Sequence, residues 1–509
     1  MSSAHRPPKD ASESQQYFAE RSLKKGVGGW VLLAGLGVAY VLSGDFAGWN
    51  GGLATGGFGG LLIAFVVMAI MYLFMCFGLA ELSAAMPVAG AGYSFARRAM
   101  GKLGGYATGT AILIEYAIAP AAICTFLGDY TRQLFHWHFD TWDWRNILIY
   151  AVYWVVFIGI QLIGAGEALK TIFVITAIGM VALFVYLGFV LPAFDPSRLL
   201  NVPADGSLLS SSFLPHGIGG TLASLVCGIW FFLGIEGVPV AAEEAKDPKR
   251  DMPRGIIIGV LILIFNGLLV LFLSSGAAAG CFNTDGTPII DAATGASGAA
   301  LNGTNCIGVN GGVGAPLIVA LTSANAPAWV IGFINVAGLA GLIASFFSLT
   351  YACSRQMFAL SRAGYLPRWL SKTSRRKVPT WCLIIPAVIA FGLGSWQQIG
   401  ARMMDIAVFG ATISYVLMCL AHVILRRTAK DLDRSYLTPG GAITTGIATV
   451  LAVVAVVSVF TYDPPAAFMT LGIFALFLLY FALYSRHHVI GNAPEEEFEL
   501  LAAQEAELR

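Results

Sequence analysis

Long apolar stretches separated by short polar or glycine-rich connectors dominate the pattern along this chain. Twelve of them are predicted to span a bilayer, at about 28–55, 57–85, 103–134, 146–164, 169–191, 217–242, 254–279, 326–351, 379–398, 402–425, 440–460 and 465–485. Each holds roughly 19 to 32 residues, enough to cross a hydrocarbon core of about 30 Å with some tilt. The pattern predicts an all-α integral membrane protein with a polar segment at 1–27, a twelve-helix unit at 28–485 and an acidic tail at 486–509. Residues 1–27 lack an apolar core followed by a small-residue cleavage site, so the first span is expected to do the targeting. The connector at about 280–325 is rich in Gly, Ala, Thr and Asn, has no Lys or Arg, and reads as an external cap or linker. The tail is expected to be solvated, with docking on the basic loops as the alternative.

Composition agrees with this pattern. The chain is 57% hydrophobic and 12% charged, where soluble domains carry about 25% charged residues. A net charge of +1 argues against nucleic acid as a partner. With the N-terminus inside, every Lys and Arg except Arg132, Arg145, Arg198 and Arg402 falls on the inner side. The positive-inside rule thus places both termini in the cytoplasm.

Within this apolar background, three acids stand out. Asp45 lies in Ser43-Gly44-Asp45-Phe46-Ala47-Gly48-Trp49, and Glu236 in Leu233-Gly234-Ile235-Glu236-Gly237-Val238-Pro239. Glu115 falls in Leu113-Ile114-Glu115-Tyr116, with Pro120 a little further on. A carboxylate at bilayer depth costs on the order of 2.5 kcal/mol or more, so it is normally paired, solvated or used. The flanking glycines are expected to let spans one and six unwind, exposing backbone that a ligand or ion satisfies. At the first break Phe46 and Trp49 offer aromatic faces to an ammonium held by Asp45. At the second, Trp230, Phe231 and Phe232 precede Gly234, and Pro239 is expected to restart a helix. The plainer readings are a half-helix cap for Asp45, a backbone latch for Glu236 and a protonated interhelical acid for Glu115.

The two broken spans enter from opposite faces, as in an inverted repeat with its site at discontinuous helices. Ser345 and Ser348 in the eighth span are candidate sodium ligands, although serines in membrane helices more often bond their own backbone. Asp129, Asp405 and His422 read as interface or packing residues. Cys76, Cys124, Cys227, Cys353, Cys382 and Cys419 read as small packing groups. Cys281 and Cys306 share the external connector, either as a disulfide or as two thiols. Asn302-Gly303-Thr304 is a glycosylation sequon, without meaning in a bacterium.

Two polar stretches carry a family likeness. The run from Ala242-Glu243-Glu244-Ala245-Lys246-Asp247-Pro248-Lys249-Arg250 to Ile256 resembles the signature after the sixth span of amino acid–polyamine–organocation transporters. Ser354-Arg355-Gln356-Met357-Phe358-Ala359-Leu360-Ser361-Arg362 through Pro367 is similar to their loop after the eighth, and Ala89 to Arg98 resembles the loop after the second. The resemblance covers about 28–485 and implies a LeuT-like five-plus-five inverted repeat with discontinuous helices 1 and 6, two extra helices and alternating access. The motifs around Asp45, Glu115-Tyr116 and Glu236 resemble the ethanolamine permease branch. That branch usually has Glu where Asp45 stands and an aromatic where Ala47 stands. Some family members place a lysine inside the fifth span in place of sodium, whereas Lys170 lies at that span's cytoplasmic end.

The expected function is therefore a permease importing ethanolamine or a close small amine across a plasma membrane, in a bacterium the inner one. An amino acid or polyamine permease of the same fold is the alternative. Acids at both breaks suit an ammonium without a carboxylate. Two carboxyls near one cation favour proton linkage, with Glu115, Glu236, Ser345 and Ser348 as coupling candidates and sodium as the second choice. No cofactor or metal is expected. The seven histidines lie mostly in loops or near the termini, which argues against a membrane enzyme.

Overall fold

The computed structural model describes residues 26, 28–88, 90–137, 143–200, 204–277, 315–400, 402–430 and 432–489 of the 509-residue chain. The elements are α1 (Trp30–Phe46), α2 (Gly51–Ala85), α3 (Gly92–Leu134), α4 (Trp144–Ile163), α5 (Ala165–Val190), α6 (Gly217–Trp230) and α7 (Pro248–Ala277). They continue with α8 (Pro316–Ser323), α9 (Ala328–Arg362), α10 (Thr380–Gly394), α11 (Met403–Thr428), α12 (Ala442–Tyr462) and α13 (Pro464–Tyr480). A 3-10 stretch, Ile235–Glu244, stands between α6 and α7. Helices are the form that pairs backbone groups inside lipid without an edge.

Among the described residues, ten helical segments are long and apolar enough to cross a membrane, so this is a multi-pass membrane protein. The two other expected spans correspond to shorter apolar helices, α1 and α10, of 17 and 15 residues. At 1.5 Å per residue α1 covers only about 25 Å. Its path is completed by a turn at Ala47–Asn50 and a short helical piece that ends at a kink on Gly57 (φ 67°).

Because α1 is apolar on all sides it belongs inside the bundle. It packs against α5, α7, α9 and the 3-10 stretch, and is buried from Leu36 to Phe46. Helices α4, α12 and α13 instead show large apolar side chains outward, such as Val155, Ile443 and Leu476. Before α1, Gly28 accepts a hydrogen bond from Lys246 N (2.8 Å) and donates to Glu244 O (3.3 Å), joining the start of the first helix to the end of the 3-10 stretch.

A second tie was not foreseen. Glu81, fully buried near the end of α2, meets Arg426 Nε (3.0 Å), Arg434 Nε (2.9 Å) and His422 Nε2 (3.3 Å), and accepts from Thr438 N (2.8 Å). Arg434 also donates to Leu425 O and Ala429 O, closing the open carbonyls at the end of α11. His422, also hydrogen-bonded to Thr445 and Thr438, is thus part of the polar network around Glu81 and not a lone packing residue. Asp129 pairs with Arg132 one turn away. The cysteines expected to be packing groups are buried and free. Cys281, Cys306, Asn302 and the acidic tail lie outside the described residues.

Candidate functional site

The first break falls later than expected. Ser43, Gly44 and Asp45 stay helical, α1 ends at Phe46, and the chain leaves the helix at Ala47 (φ −159°, ψ 160°) and Gly48 (φ 90°). Gly48 is needed because an L side chain rarely adopts that φ. Gly44 serves a different purpose: a Cβ there would sit 2.4 Å from the Trp230 carbonyl oxygen, so this glycine lets the two broken spans touch. Trp230 Nε1 donates to Ala47 O (3.0 Å) and Tyr130 OH donates to Phe46 O (3.0 Å), satisfying carbonyls freed by the break. The Trp49 ring lies 5.8 Å from Phe231, which in turn packs on Phe65. Phe232 packs on Phe65 and Tyr72. The Gly44→Ala variant is expected to lose about 1–3 kcal/mol to overpacking. A lowered thermal midpoint of the detergent-solubilised protein would register this, and an unchanged one would show that the two breaks part freely.

At the second break, Gly234 takes a left-handed conformation (φ 103°) and the chain resumes as the 3-10 stretch, with Pro239 in its interior, not at its start. Glu236 therefore stands in the first turn of that stretch, where free N–H groups favour a negative side chain. Its carboxyl accepts from Tyr116 OH (3.3 Å) and is close enough to Glu115 to exchange a hydrogen bond. Glu115 Oε1 also accepts from Tyr415 OH (3.5 Å), and Tyr72 OH donates to Tyr415 OH (2.9 Å). Oε2 of each glutamate has no protein partner. Two buried carboxyls in contact repel when both are ionised, so this geometry suits a pair that shares one proton.

Asp45 does not join this pair. It is fully buried with neither carboxyl oxygen hydrogen-bonded. It lies two turns beyond Val38 and shares that face of α1, the face that looks toward Thr176 and Met180 on α5 and Ile262 on α7. The expected meeting of Asp45 and Glu236 around one cation is replaced by a meeting of Glu115 and Glu236. Helix register separates the acids: Gly44 faces Trp230 of α6, and Asp45, about 100° further round α1, is turned away from it.

Ser345 on α9 donates to Ala39 O (2.7 Å) and accepts from Ser43 N (2.7 Å), so its hydroxyl sits in one rung of the α1 ladder. Such insertion loosens a helix locally. Ser348 donates to Ala344 O (2.8 Å) on its own helix. Tyr72, Tyr130 and Tyr415 were not singled out from the sequence. The available signal was that a phenol inside an apolar span needs a partner for its O–H.

Two broken helices thus meet beside a buried acid pair inside a multi-pass bundle, an arrangement suited to carrying a small solute. Residues 31–483 match the family model described as amino acid permease, and the chain belongs to that family, among the amino acid–polyamine–organocation transporters. It is 27% identical to the branched-chain amino acid permease BcaP of Bacillus subtilis (strain 168), over 92% of this chain and 95% of that one. It is 26% identical to the methylthioribose transporter of the same strain, over 86% and 88%. It is 22% identical to the aromatic amino acid transport protein AroP of Escherichia coli (strain K12), over 73% and 75%.

Proposed function

We propose that the chain imports a small amine, with ethanolamine as the leading candidate, by proton-linked alternating access through a twelve-span inverted repeat with both termini cytoplasmic. In this reading Glu236 receives the ammonium and the Glu115–Glu236 pair carries the proton, while Ser43, Phe46, Trp49, Tyr116, Phe231 and Phe232 shape the chamber. Asp45 is a second buried carboxyl, on another flank of α1. The observation that carries the proposal is the carboxyl pair at the second break, ringed by Tyr116, Tyr415 and Tyr72. Glu236 can take the arriving ammonium while Glu115 keeps the proton, so that substrate and proton cross together. The hydroxyls of Ser345 and Ser348 are already committed to backbone groups, which favours protons over sodium as the coupling ion.

A second reading, an amino acid as substrate, is favoured by the names of the relatives. Proteoliposome uptake of labelled ethanolamine, with pH and sodium gradients imposed separately, tests the first. Acid outside should stimulate uptake and sodium should not. Saturable uptake of a branched-chain or aromatic amino acid, unaffected by excess ethanolamine, would establish the second reading instead.

A further inference from the structure

A cleft of about 230 Å³ opens between α1, α5 and α7, with none of the residues of either break in its lining. Its wall includes Val38, Phe173, Met180, Ile258 and Ile262, and it reaches inward as far as Val38 and Thr176, which are 3% and 4% exposed. The threonine hydroxyl donates to Ile172 O, so it presents its methyl group to the cleft. Such a wall accepts hydrocarbon and offers a polar solute nothing.

One end of the cleft is different. α1, α5 and α7 all begin at the same membrane face. There Trp30 lines the mouth, Lys170 lies one turn before Phe173, and Arg254 lies one turn before Ile258. Both cations are exposed, and among the described residues neither has a hydrogen-bonding or ionic partner. From Lys170 to Met180, α5 rises about 15 Å, half of a hydrocarbon core of about 30 Å and so the depth of one leaflet. An apolar slot one leaflet deep, with two unpaired cations and a tryptophan at its interfacial end, matches the chemistry of an acidic phospholipid.

We propose that this cleft binds a phospholipid with an anionic headgroup, one acyl chain lying between α1, α5 and α7 and the phosphate meeting Lys170 and Arg254. A headgroup charge near each cation contributes about fivefold, so the pair favours an anionic over a zwitterionic lipid by roughly 30-fold.

Native mass spectrometry of the full chain, titrated with dioleoyl phosphatidylglycerol or dioleoyl phosphatidylcholine, tests this. The parent protein should retain the phosphatidylglycerol at the lower concentration. Lys170→Gln with Arg254→Gln should erase that preference while leaving the melting temperature in phosphatidylcholine nanodiscs unchanged. Ala177→Trp, which fills the slot from an exposed position, should remove the bound lipid of either kind. Equal retention of both lipids by the parent, a preference that survives the double substitution, or a lipid that survives Ala177→Trp would each overturn the proposal.

Discussion

Exchanging Glu115 for glutamine is expected to abolish proton-driven accumulation while leaving substrate exchange in place. Glutamine keeps the side chain's shape and can still bond Glu236 and Tyr415, but it cannot release a proton. The pair would then hold its hydrogen bond permanently, and Glu236 alone would receive substrate. A gradient of two pH units is worth about 1.4 kcal/mol per unit and supports roughly 100-fold accumulation in one-proton symport. The Glu115→Gln variant should therefore equilibrate substrate at a ratio of about one, with counterflow between preloaded and external substrate retained. Proteoliposomes with imposed gradients separate the two quantities. Full accumulation by the variant would remove Glu115 from the coupling step; loss of counterflow as well would make it part of the substrate site.

Helix-scale features were readable because burial in lipid writes them into composition. An α1 apolar on every side announces a central helix, and the glycines around Asp45 and Glu236 announce breaks. Where each break begins was not readable to the residue. Ser43 and Gly44 look suited to unwinding, yet Gly44 is small because the Trp230 carbonyl lies against it, a contact with a residue distant in sequence. The partner of each acid was equally hidden. Glu115 meets Glu236 only because α3 packs beside the second break, and Asp45 misses it by helical register. Glu81 near the end of a long apolar helix resembles an ordinary interfacial acid until α11 and the following loop bring Arg426, Arg434 and Thr438 around it.

The family signature after the sixth span has a physical basis that leads to a second large effect. Glu244, at the end of the 3-10 stretch, meets Arg355 Nε of α9 at 3.1 Å, with both side chains at most 2% exposed. The Arg355 guanidinium stacks 3.9 Å above the Tyr351 ring and donates to Ser354 Oγ. Glu243 and Arg362 form a parallel pair at 2.8 Å. Gly28 is tied to the same stretch through Glu244 O and Lys246 N, so the start of α1, the end of the 3-10 stretch and the last turns of α9 are held together. Removing one partner of a buried pair leaves a charge without compensation, at a cost of about 3–5 kcal/mol. Arg355→Met is expected to show that loss as a large drop in thermal midpoint, because the methionine replaces volume but not charge. Glu244→Gln combined with Arg355→Met should recover most of it, since the stranded carboxylate is then gone. A single Arg355→Met variant as stable as the parent would mean that Glu244 takes up a proton or water in place of the guanidinium. Any motion that opens this face must part the same pair, so the double variant is also expected to exchange substrate faster than the parent in counterflow.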